Sequence, residues 1–314
     1  MISAFAMIAI RFFIIIPVLK NCTVNGGYLS PFLNDFWFSI LILSVLLINS
    51  AGYIINDICD IETDLINKPN KVYINNHLPL KKAAMFYYIL NISGIVLGII
   101  LSLKVNAMRL SSIHLAAIGL LWVYAMYLKK LPFIGNLSVA LLSSVLILMP
   151  IFFEPIIFYN NTEAFNDSIK IILKCSLIYA SFAFLMQLVR EIIKDLQDVE
   201  GDKITGCKTL PIATSVLFAK IICSFFIIAT IIFIGWFQVH FYYQKEFYSV
   251  FNNWNFYSTI LIQIPLLFIL VKLFLSKTAK NYSVLSFITK GVMITGIISM
   301  VFIKLWFTDY FNFI

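Results

Sequence analysis

Nine apolar runs, each close to the length that crosses a membrane, follow one another along this 314-residue chain. A helix needs roughly 20 predominantly apolar residues to span the hydrocarbon core of a bilayer. No long hydrophilic stretch separates the runs, so there is no separate soluble domain. The predicted spans are 4–19, 36–56, 84–105, 112–128, 134–158, 170–190, 212–239, 256–276 and 284–307. We therefore predict an all-α fold, a multi-pass transmembrane bundle of about nine helices that forms one domain over residues 1–314.

The composition supports a bilayer environment. Hydrophobic residues make up 61% of the chain and charged residues 12%, whereas soluble domains average about 45–50% apolar and about 25% charged residues. A soluble version would expose large apolar patches and aggregate. The N-terminal run is predicted to be the first membrane helix rather than a signal peptide, because Arg11 interrupts it and no small-residue cleavage site follows.

The positive charge indicates topology rather than nucleic-acid binding. The net charge is +8, but the Lys and Arg residues are spread over short loops instead of forming one stripe. Alternate loops are the richer ones, and cytoplasmic loops of membrane proteins collect Lys and Arg. We therefore expect a cell membrane protein (plasma or inner membrane) with a cytoplasmic N-terminus. The richer loops hold Lys68, Lys71, Lys81 and Lys82, then Lys129 and Lys130, then Arg190, Lys194, Lys203 and Lys208, then Lys277 and Lys280.

Acidic residues are concentrated in two short segments at the predicted cytoplasmic ends of helices. The chain has only 15 Asp and Glu residues, and nine of them lie within 56–69 and 190–203. Each segment has aspartates at i, i+3 and i+7, and the two triplets are 138 residues apart. The triplets are Asp57, Asp60 and Asp64, and Asp195, Asp198 and Asp202. These offsets project from one face of a helix, which predicts two stripes of carboxylates.

Carboxylates gathered at the mouth of a membrane bundle need cations beside them. A charged Asp at the bilayer centre costs roughly 2.5–3.5 kcal/mol, and facing carboxylates repel one another. Oxygen-only ligands select Mg²⁺ or Ca²⁺, and Mg²⁺ usually shares one or two carboxylates with substrate phosphates. Two solvated loops would explain the charge but not the identical spacing. The pattern therefore predicts Mg²⁺ ions that bridge a diphosphate.

The two segments resemble the two signatures of the UbiA-type intramembrane prenyltransferase superfamily. Residues 56–64, followed by Asn-Lys-Pro at 67–69, are similar to the first signature, and residues 195–202 are similar to the second. The family has nine helices, with the signatures after helices two and six, and the predicted spans place them there. The resemblance implies an enzyme that is surrounded by membrane lipids. It would use Mg²⁺ to transfer a prenyl group from an isoprenoid diphosphate to a lipophilic acceptor.

The resemblance also implies a role for each site residue. The six aspartates would be catalytic, with each triplet holding one Mg²⁺, and Asn56 would supply a neutral ligand or orient a carboxylate. Basic side chains would complete the neutralisation of the diphosphate. These are Lys68, Lys129, Arg190 and Lys194. Tyr124 would line a dry cavity that protects an allylic cation, although an interfacial anchor is the alternative for this residue.

A finer match favours one branch of the family. The stretches at 190–203 and 208–211, together with Tyr124-x4-Lys129, resemble the branch that makes digeranylgeranylglyceryl phosphate. Its acceptor is an alcohol, geranylgeranylglyceryl phosphate, which receives a second geranylgeranyl group. The chain departs from the family at residues 70–71, where Asn-Lys replaces a frequent Arg-Pro pair.

Two other functions stay open at this point. The acceptor could be an aromatic ring of quinone-type biosynthesis, such as a dihydroxynaphthoate. The protein could instead transport divalent cations or phospholipids, because acidic residues at helix ends also suit ion pathways. A transporter would more often place its charges at the bilayer midplane on broken helices, whereas these acids lie at one membrane face.

The remaining sequence features predict packing rather than chemistry. The five cysteines form no C-x-x-C pair and no zinc spacing with the three histidines. The histidines lie away from both acidic segments, so we expect no catalytic histidine. Gly94 and Gly98 form a G-x-x-x-G pattern, which predicts close helix packing inside the bundle.

Overall fold

The computed structural model describes residues 2–20, 23–24, 27–159, 163–242 and 248–311. Within these residues, nine helices have the length and composition to cross a membrane. They are Ile2–Lys20, Asp35–Cys59, Leu80–Lys104, Met108–Met126, Ile134–Phe152, Ser168–Gln197, Val216–His240, Asn252–Leu275 and Ala279–Phe307, called the first to ninth helices below. The predicted all-α, multi-pass membrane fold is confirmed.

Shorter elements connect the nine helices. Single helical turns and short helices are Ile61–Asn67, Pro69–Lys71, Leu128–Lys130, Ile156–Tyr159, Val199–Ile204 and Leu210–Ala213. Two-residue strands, Thr23–Val24 and Gly27–Tyr28, pair antiparallel after the first helix. The first and eighth helices each contain a π-helical turn, at Arg11–Ile15 and Thr259–Gln263.

A capping hydrogen bond and a proline set the ends of two helices, and hydropathy includes neither effect. The Asn34 side chain accepts a hydrogen bond from the Trp37 backbone N–H (3.0 Å), which caps the start of the second helix. The fifth helix ends at Phe152 instead of the predicted 158. Pro155 follows it, and proline has no N–H to continue a helical ladder.

Both acidic segments break at their middle aspartate, which corrects the expectation of one continuous helical face. The second helix ends at Cys59, and Asp60 (φ −99°, ψ 2°) joins it to the short helix Ile61–Asn67. Asp198 (φ −102°, ψ 11°) likewise joins the sixth helix to Val199–Ile204. These angles lie in the sparsely populated bridge region. Each triplet therefore has one aspartate on a membrane helix, one at a bend and one on a short helix.

The sixth helix is the centre of the bundle. The fifth, seventh and ninth helices all pack against it, while the second and third helices pack against each other. Met186, Val189 and Ile193 of the sixth helix are completely buried, together with Cys223 of the seventh and Leu266 of the eighth. The sixth helix can therefore present residues both to a packed core and to the cavity described below.

Gly94 and Gly98 bring the third helix close to its neighbours. A Cβ atom added at Gly94 would lie 2.6 Å from Ile48 Cγ1 of the second helix. A Cβ atom at Gly98 would lie 2.7 Å from the His114 ring of the fourth helix. Both distances are shorter than real Cβ contacts, so only glycine fits, and the pattern serves packing between helices of one chain.

We expect Gly94→Val to destabilise the bundle by about 1–3 kcal/mol, because overpacking forces neighbouring side chains and backbone to shift. The matched control is Gly119→Val, since nothing lies within 4 Å of a Cβ added there. Thermal unfolding in detergent should show a lower Tm for Gly94→Val than for Gly119→Val. Equal losses in the two variants would attribute the effect to helix propensity rather than to packing.

Candidate active site

A cavity of about 800 Å³ opens between the first, second, fourth, fifth, sixth and ninth helices. This volume lies in the range of ligand pockets, about 300–1,000 Å³. Its wall is mostly apolar, and several polar and charged side chains come from the halves of the helices nearest the acidic segments. These are Asn56, Tyr124, Gln187, Arg190, Glu191, Lys194 and Lys290. Four predicted site residues, Asn56, Tyr124, Arg190 and Lys194, therefore line one cavity.

The first triplet is held by an amide and a lysine. Asn56 Nδ2 donates to Asp60 Oδ2 (2.7 Å), and Lys129 Nζ contacts Asp60 Oδ1 (2.6 Å). Lys129 comes from the turn after the fourth helix, and 11% of its side chain is exposed. Asp57 lies one turn earlier and is exposed. Asn56 is therefore hydrogen-bonded to a carboxylate of the first triplet, and its role in the reaction stays a prediction.

The second triplet is also held by an amide and a lysine, but on different aspartates. Asn136 Nδ2 of the fifth helix donates to Asp195 Oδ2 (2.8 Å). Lys68 Nζ contacts Asp198 Oδ2 (2.7 Å). Thr209 Oγ1 donates to Asp202 Oδ2 (3.3 Å). All three aspartates of the second triplet therefore have a side-chain partner, whereas in the first triplet the amide and the lysine both contact Asp60.

The two short helices that carry Asp64 and Asp202 pack against each other. Asn67 joins them, because its Nδ2 donates to the Asp198 carbonyl (3.1 Å) and its Oδ1 accepts from the Gly201 N–H (2.9 Å). A Cβ atom at residue 201 would overlap the Asn67 amide. Glycine is therefore required at 201, and the contacts of Asn67 hold the two acidic segments together.

Electrostatic repulsion operates across the two triplets as well as within each. Burial, followed by repulsion from Asp60, raises the pKa of Asp64, and Asp198 of the other triplet adds to the effect. Burial and the neighbouring Asp198 raise the pKa of Asp202 to about 7, and Asp60 contributes from across the gap. The site therefore holds more negative charge than its two lysines neutralise.

The donor set fits a hard cation, although no ready-made site is present. Among the described residues, no three His, Cys, Asp or Glu side chains converge closely enough to hold a metal. Asp198 Oδ1 is nevertheless buried without a hydrogen-bond partner, and every acidic donor is an oxygen. Oxygen donors and unsatisfied negative charge suit Mg²⁺. The assignment of the six aspartates as ligands stays a prediction.

Three further polar residues belong to this region, and sequence reasoning did not select them. Asn67 occurs in the pattern quoted at 67–69, and Asn136 lies near the start of the fifth helix. The contacts of both residues connect positions far apart in the chain. Lys290 lies in the interior of the ninth helix and lines the cavity. A lysine in the interior of a membrane span is a signal that could have identified it, because charged residues there are rare and mark functional sites.

A separate charged cluster lies at the opposite ends of the helices. Arg11 Nη2 donates to the Leu33 carbonyl (2.5 Å) and contacts Asp35 Oδ1 (3.1 Å). The Glu154 side chain accepts from the Phe32 N–H (2.5 Å) and is 1% exposed. Burial raises the pKa of Glu154 to about 7. This cluster ties the first helix and the loop after the fifth helix to the segment before the second helix.

Sequence comparison identifies the family. Residues 22–291 match the UbiA prenyltransferase family. The chain belongs to this family. The prediction of a prenyltransferase enzyme is thereby confirmed at the level of the family, and an enzyme is favoured over a transporter. A prenyltransferase acts on an isoprenoid donor and an acceptor at the membrane.

Related proteins of this family carry a more specific name. The chain is 32% identical over 212 residues to a digeranylgeranylglyceryl phosphate synthase of Methanococcus aeolicus, covering 65% of this chain and 68% of the relative. A protein of the same name from Methanobrevibacter smithii is 35% identical over 173 residues, covering 55% of this chain and 56% of the relative. The matched region is therefore between about half and two thirds of each relative.

A solved structure supports the fold independently. The apo structure of a UbiA homolog from Aeropyrum pernix K1 has a TM-score of 0.64 to this chain at 11% identity. The superposition covers 94% of this chain and 96% of that chain. The whole described bundle, rather than one part, therefore has the architecture of the UbiA prenyltransferase family.

Glu154 should make the stability of the protein pH-dependent. Its pKa is about 7 in the folded protein against an ordinary value of 4.5, so the folded state binds more protons between these values. The free energy of unfolding therefore falls as pH rises from about 4.5 through 7. Glu154→Gln keeps an oxygen to accept from Phe32 and removes this titration. At pH 8 the variant should be more stable than wild type by on the order of 2–3 kcal/mol.

The measurement is Tm in detergent at pH 5, 6.5 and 8. The difference between Glu154→Gln and wild type should grow across this series. Glu62→Gln removes an exposed carboxylate and controls for the loss of one negative charge. A constant difference at all three pH values would contradict the titration of Glu154.

Proposed function

We propose that this protein transfers a geranylgeranyl group from its diphosphate to geranylgeranylglyceryl phosphate, with Mg²⁺ as cofactor. The observation that carries the proposal is the pair of aspartate triplets, which the packing of the short helices Ile61–Asn67 and Val199–Ile204 brings together. The similarity to two archaeal proteins named digeranylgeranylglyceryl phosphate synthase supports the choice of acceptor. The stretch of residues 190–203 supports the same branch.

The aspartates serve the donor diphosphate. Asp57, Asp60 and Asp64 would hold Mg²⁺ on one side, and Asp195, Asp198 and Asp202 would hold it on the other. When bound, the metal neutralises charge on the diphosphate. Lys129 contacts the first triplet and Lys68 contacts the second. Both lysines add positive charge where the diphosphate would bind. The amides of Asn56 and Asn136 fix the orientation of one carboxylate in each triplet.

The transfer makes one bond and breaks one bond. The acceptor hydroxyl oxygen bonds to C1 of the geranylgeranyl group. The bond between C1 and the diphosphate oxygen breaks, and its electron pair leaves on the diphosphate, which takes up the hydroxyl proton. The apolar cavity wall excludes water that would otherwise capture the allylic cation. Tyr124 lies on this wall, where an aromatic face stabilises positive charge.

The orientation follows from the loops. The turns that carry Lys68, Lys129 and Lys208 lie at the same end of the bundle, and the Lys208 N–H donates to the Lys130 carbonyl (2.9 Å). Because Lys-rich loops stay inside the cell, we place this end and the active site on the cytoplasmic face of the cell membrane. Residues 1–314 form a single domain in this proposal.

Replacing one carboxylate in each triplet tests the donor site. We expect Asp57→Asn and Asp195→Asn each to lower Mg²⁺-dependent turnover about 100-fold or more, because charge stabilisation on the leaving group is lost. Glu62→Gln and Glu200→Gln are matched controls, since both carboxylates lie in the same segments, are exposed and belong to neither triplet. The controls should keep near wild-type rates. Normal turnover in both aspartate variants would reject the assignment.

The acceptor is tested by competition in a single reaction. Purified protein in detergent receives geranylgeranyl diphosphate, Mg²⁺, geranylgeranylglyceryl phosphate and a dihydroxynaphthoate, and the products are identified by mass spectrometry. We expect the diether phosphate. A prenylated naphthoate would instead assign the protein to quinone-type biosynthesis. Omission of Mg²⁺ with EDTA present should abolish either product.

A further inference from the structure

A second, smaller cavity lies beside the one described above. Its volume is about 90 Å³, and the sixth, seventh, eighth and ninth helices surround it. Most of its wall consists of aromatic and aliphatic side chains. Among them are Ile178, Phe233, Ile234, Ile262 and Ile303. A cavity of this kind takes apolar ligands, since an engineered apolar cavity of about 150 Å³ in another protein binds benzene.

Tyr179 and Phe182 of the sixth helix line both cavities. They are three residues apart, so their side chains project from the same face of the helix. Both side chains are buried. The two rings therefore form a wall that the cavities share, which is called the partition below.

The ninth helix holds the partition in place. The hydroxyl groups of Tyr179 and Ser299 share a hydrogen bond of 3.0 Å. The Phe182 ring packs against Gly296, because a Cβ atom added at residue 296 would overlap it. Gly296 and Ser299 both line the smaller cavity. One hydrogen bond and one close contact therefore fix the two rings between the cavities.

The partition lies about one geranylgeranyl chain away from the second aspartate triplet. Lys194, which precedes Asp195, lines the larger cavity together with Tyr179, and the two lie fifteen residues apart on the same helix. At 1.5 Å per residue this separation is roughly 22 Å. A geranylgeranyl chain with C–C bonds of about 1.5 Å is on the order of 20 Å long when extended. The end of a chain whose diphosphate lies at the triplets therefore reaches the partition.

We propose that Tyr179 and Phe182 set the length of the prenyl chain that the enzyme accepts in its diphosphate donor. The inference rests on the proposed function, because it concerns the donor of that reaction. One more isoprene unit lengthens an extended chain by about 5 Å, so a longer donor meets the two rings. Without the Phe182 ring the two cavities join, and the additional unit enters the smaller one.

The first experiment measures donor binding without the acceptor. Purified protein with Mg²⁺ is titrated with geranylgeranyl diphosphate and with geranylfarnesyl diphosphate, which is one isoprene unit longer, and thermal stabilisation is recorded. We expect wild type to bind the shorter donor at least about tenfold more tightly, because an apolar pocket discriminates even one methylene group by about tenfold or more. Phe182→Ala should reduce this preference to about twofold or less.

Phe226→Ala is the matched control for the loss of a phenyl ring. Phe226 packs against the core that contains Phe182 but lines neither cavity. This variant should therefore keep the wild-type preference for the shorter donor.

Two further variants test the smaller cavity itself. Ile234→Phe, added to Phe182→Ala, refills this cavity from the seventh helix and should restore the preference for the shorter donor. Phe182→Leu keeps part of the side chain and should give an intermediate preference. It also provides the test if Phe182→Ala does not fold.

The second experiment measures turnover with each donor. The ratio of kcat/KM for geranylfarnesyl diphosphate to that for geranylgeranyl diphosphate should rise about tenfold in Phe182→Ala and stay at the wild-type value in Phe226→Ala. An unchanged ratio and an unchanged binding preference in the Phe182 variants would overturn the proposal, since the chain would then leave the bundle without meeting the partition. Equal binding of both donors by wild type would overturn it as well.

The two proposals fail in different ways. If wild type forms no diether product but the donor preference is lost in Phe182→Ala, the proposed reaction is wrong and the role of the partition stands. If wild type forms the product and Phe182→Ala selects donors like Phe226→Ala, the role of the partition is wrong and the reaction stands.

Discussion

Six carboxylates at the mouth of a lipid-embedded bundle are stable only if positive charge lies beside them. Lys129 and Lys68 supply part of that charge through contacts of 2.6 Å with Asp60 and 2.7 Å with Asp198. Both pairs are partly buried, and removing one partner of such a pair leaves a charge without its neutralising neighbour. The bends at the two middle aspartates place both carboxylates where these lysines reach them. The positions of the short helices, and through them the cavity mouth, depend on this neutralisation.

The two acidic segments use the same local construction. In each, a membrane helix ends at an aspartate in the bridge region and a short helix continues beyond it. Asn67 and Gly201 then hold the short helices together. The two short helices can approach this closely because Gly201 has no side chain. Any Cβ atom at residue 201 would overlap the amide of Asn67. The same spacing of aspartates is therefore accompanied by the same bend in both segments.

Charge divides the site into two regions. The aspartate triplets bring together carboxylates that repel one another, both within each triplet and across the two. The cavity wall is mostly apolar, and Arg190 and Lys194 contact the buried Glu191 on its surface. The two regions therefore differ in the charge that they present to a ligand.

The sequence by itself determined the nine spans, the two aspartate triplets and the family, because hydropathy and residue spacing are local properties of the chain. The predicted helix ends were less accurate, because a hydropathy average includes neither the capping hydrogen bond of Asn34 nor the missing backbone N–H of Pro155. Only the tertiary structure decided that both triplets bend at the middle aspartate and that Asn136 holds Asp195. It also decided that Lys290 joins Arg190 and Lys194 around one cavity. These contacts join residues about 60 to 135 positions apart, or separate helices, and helix packing rather than local sequence brings them together.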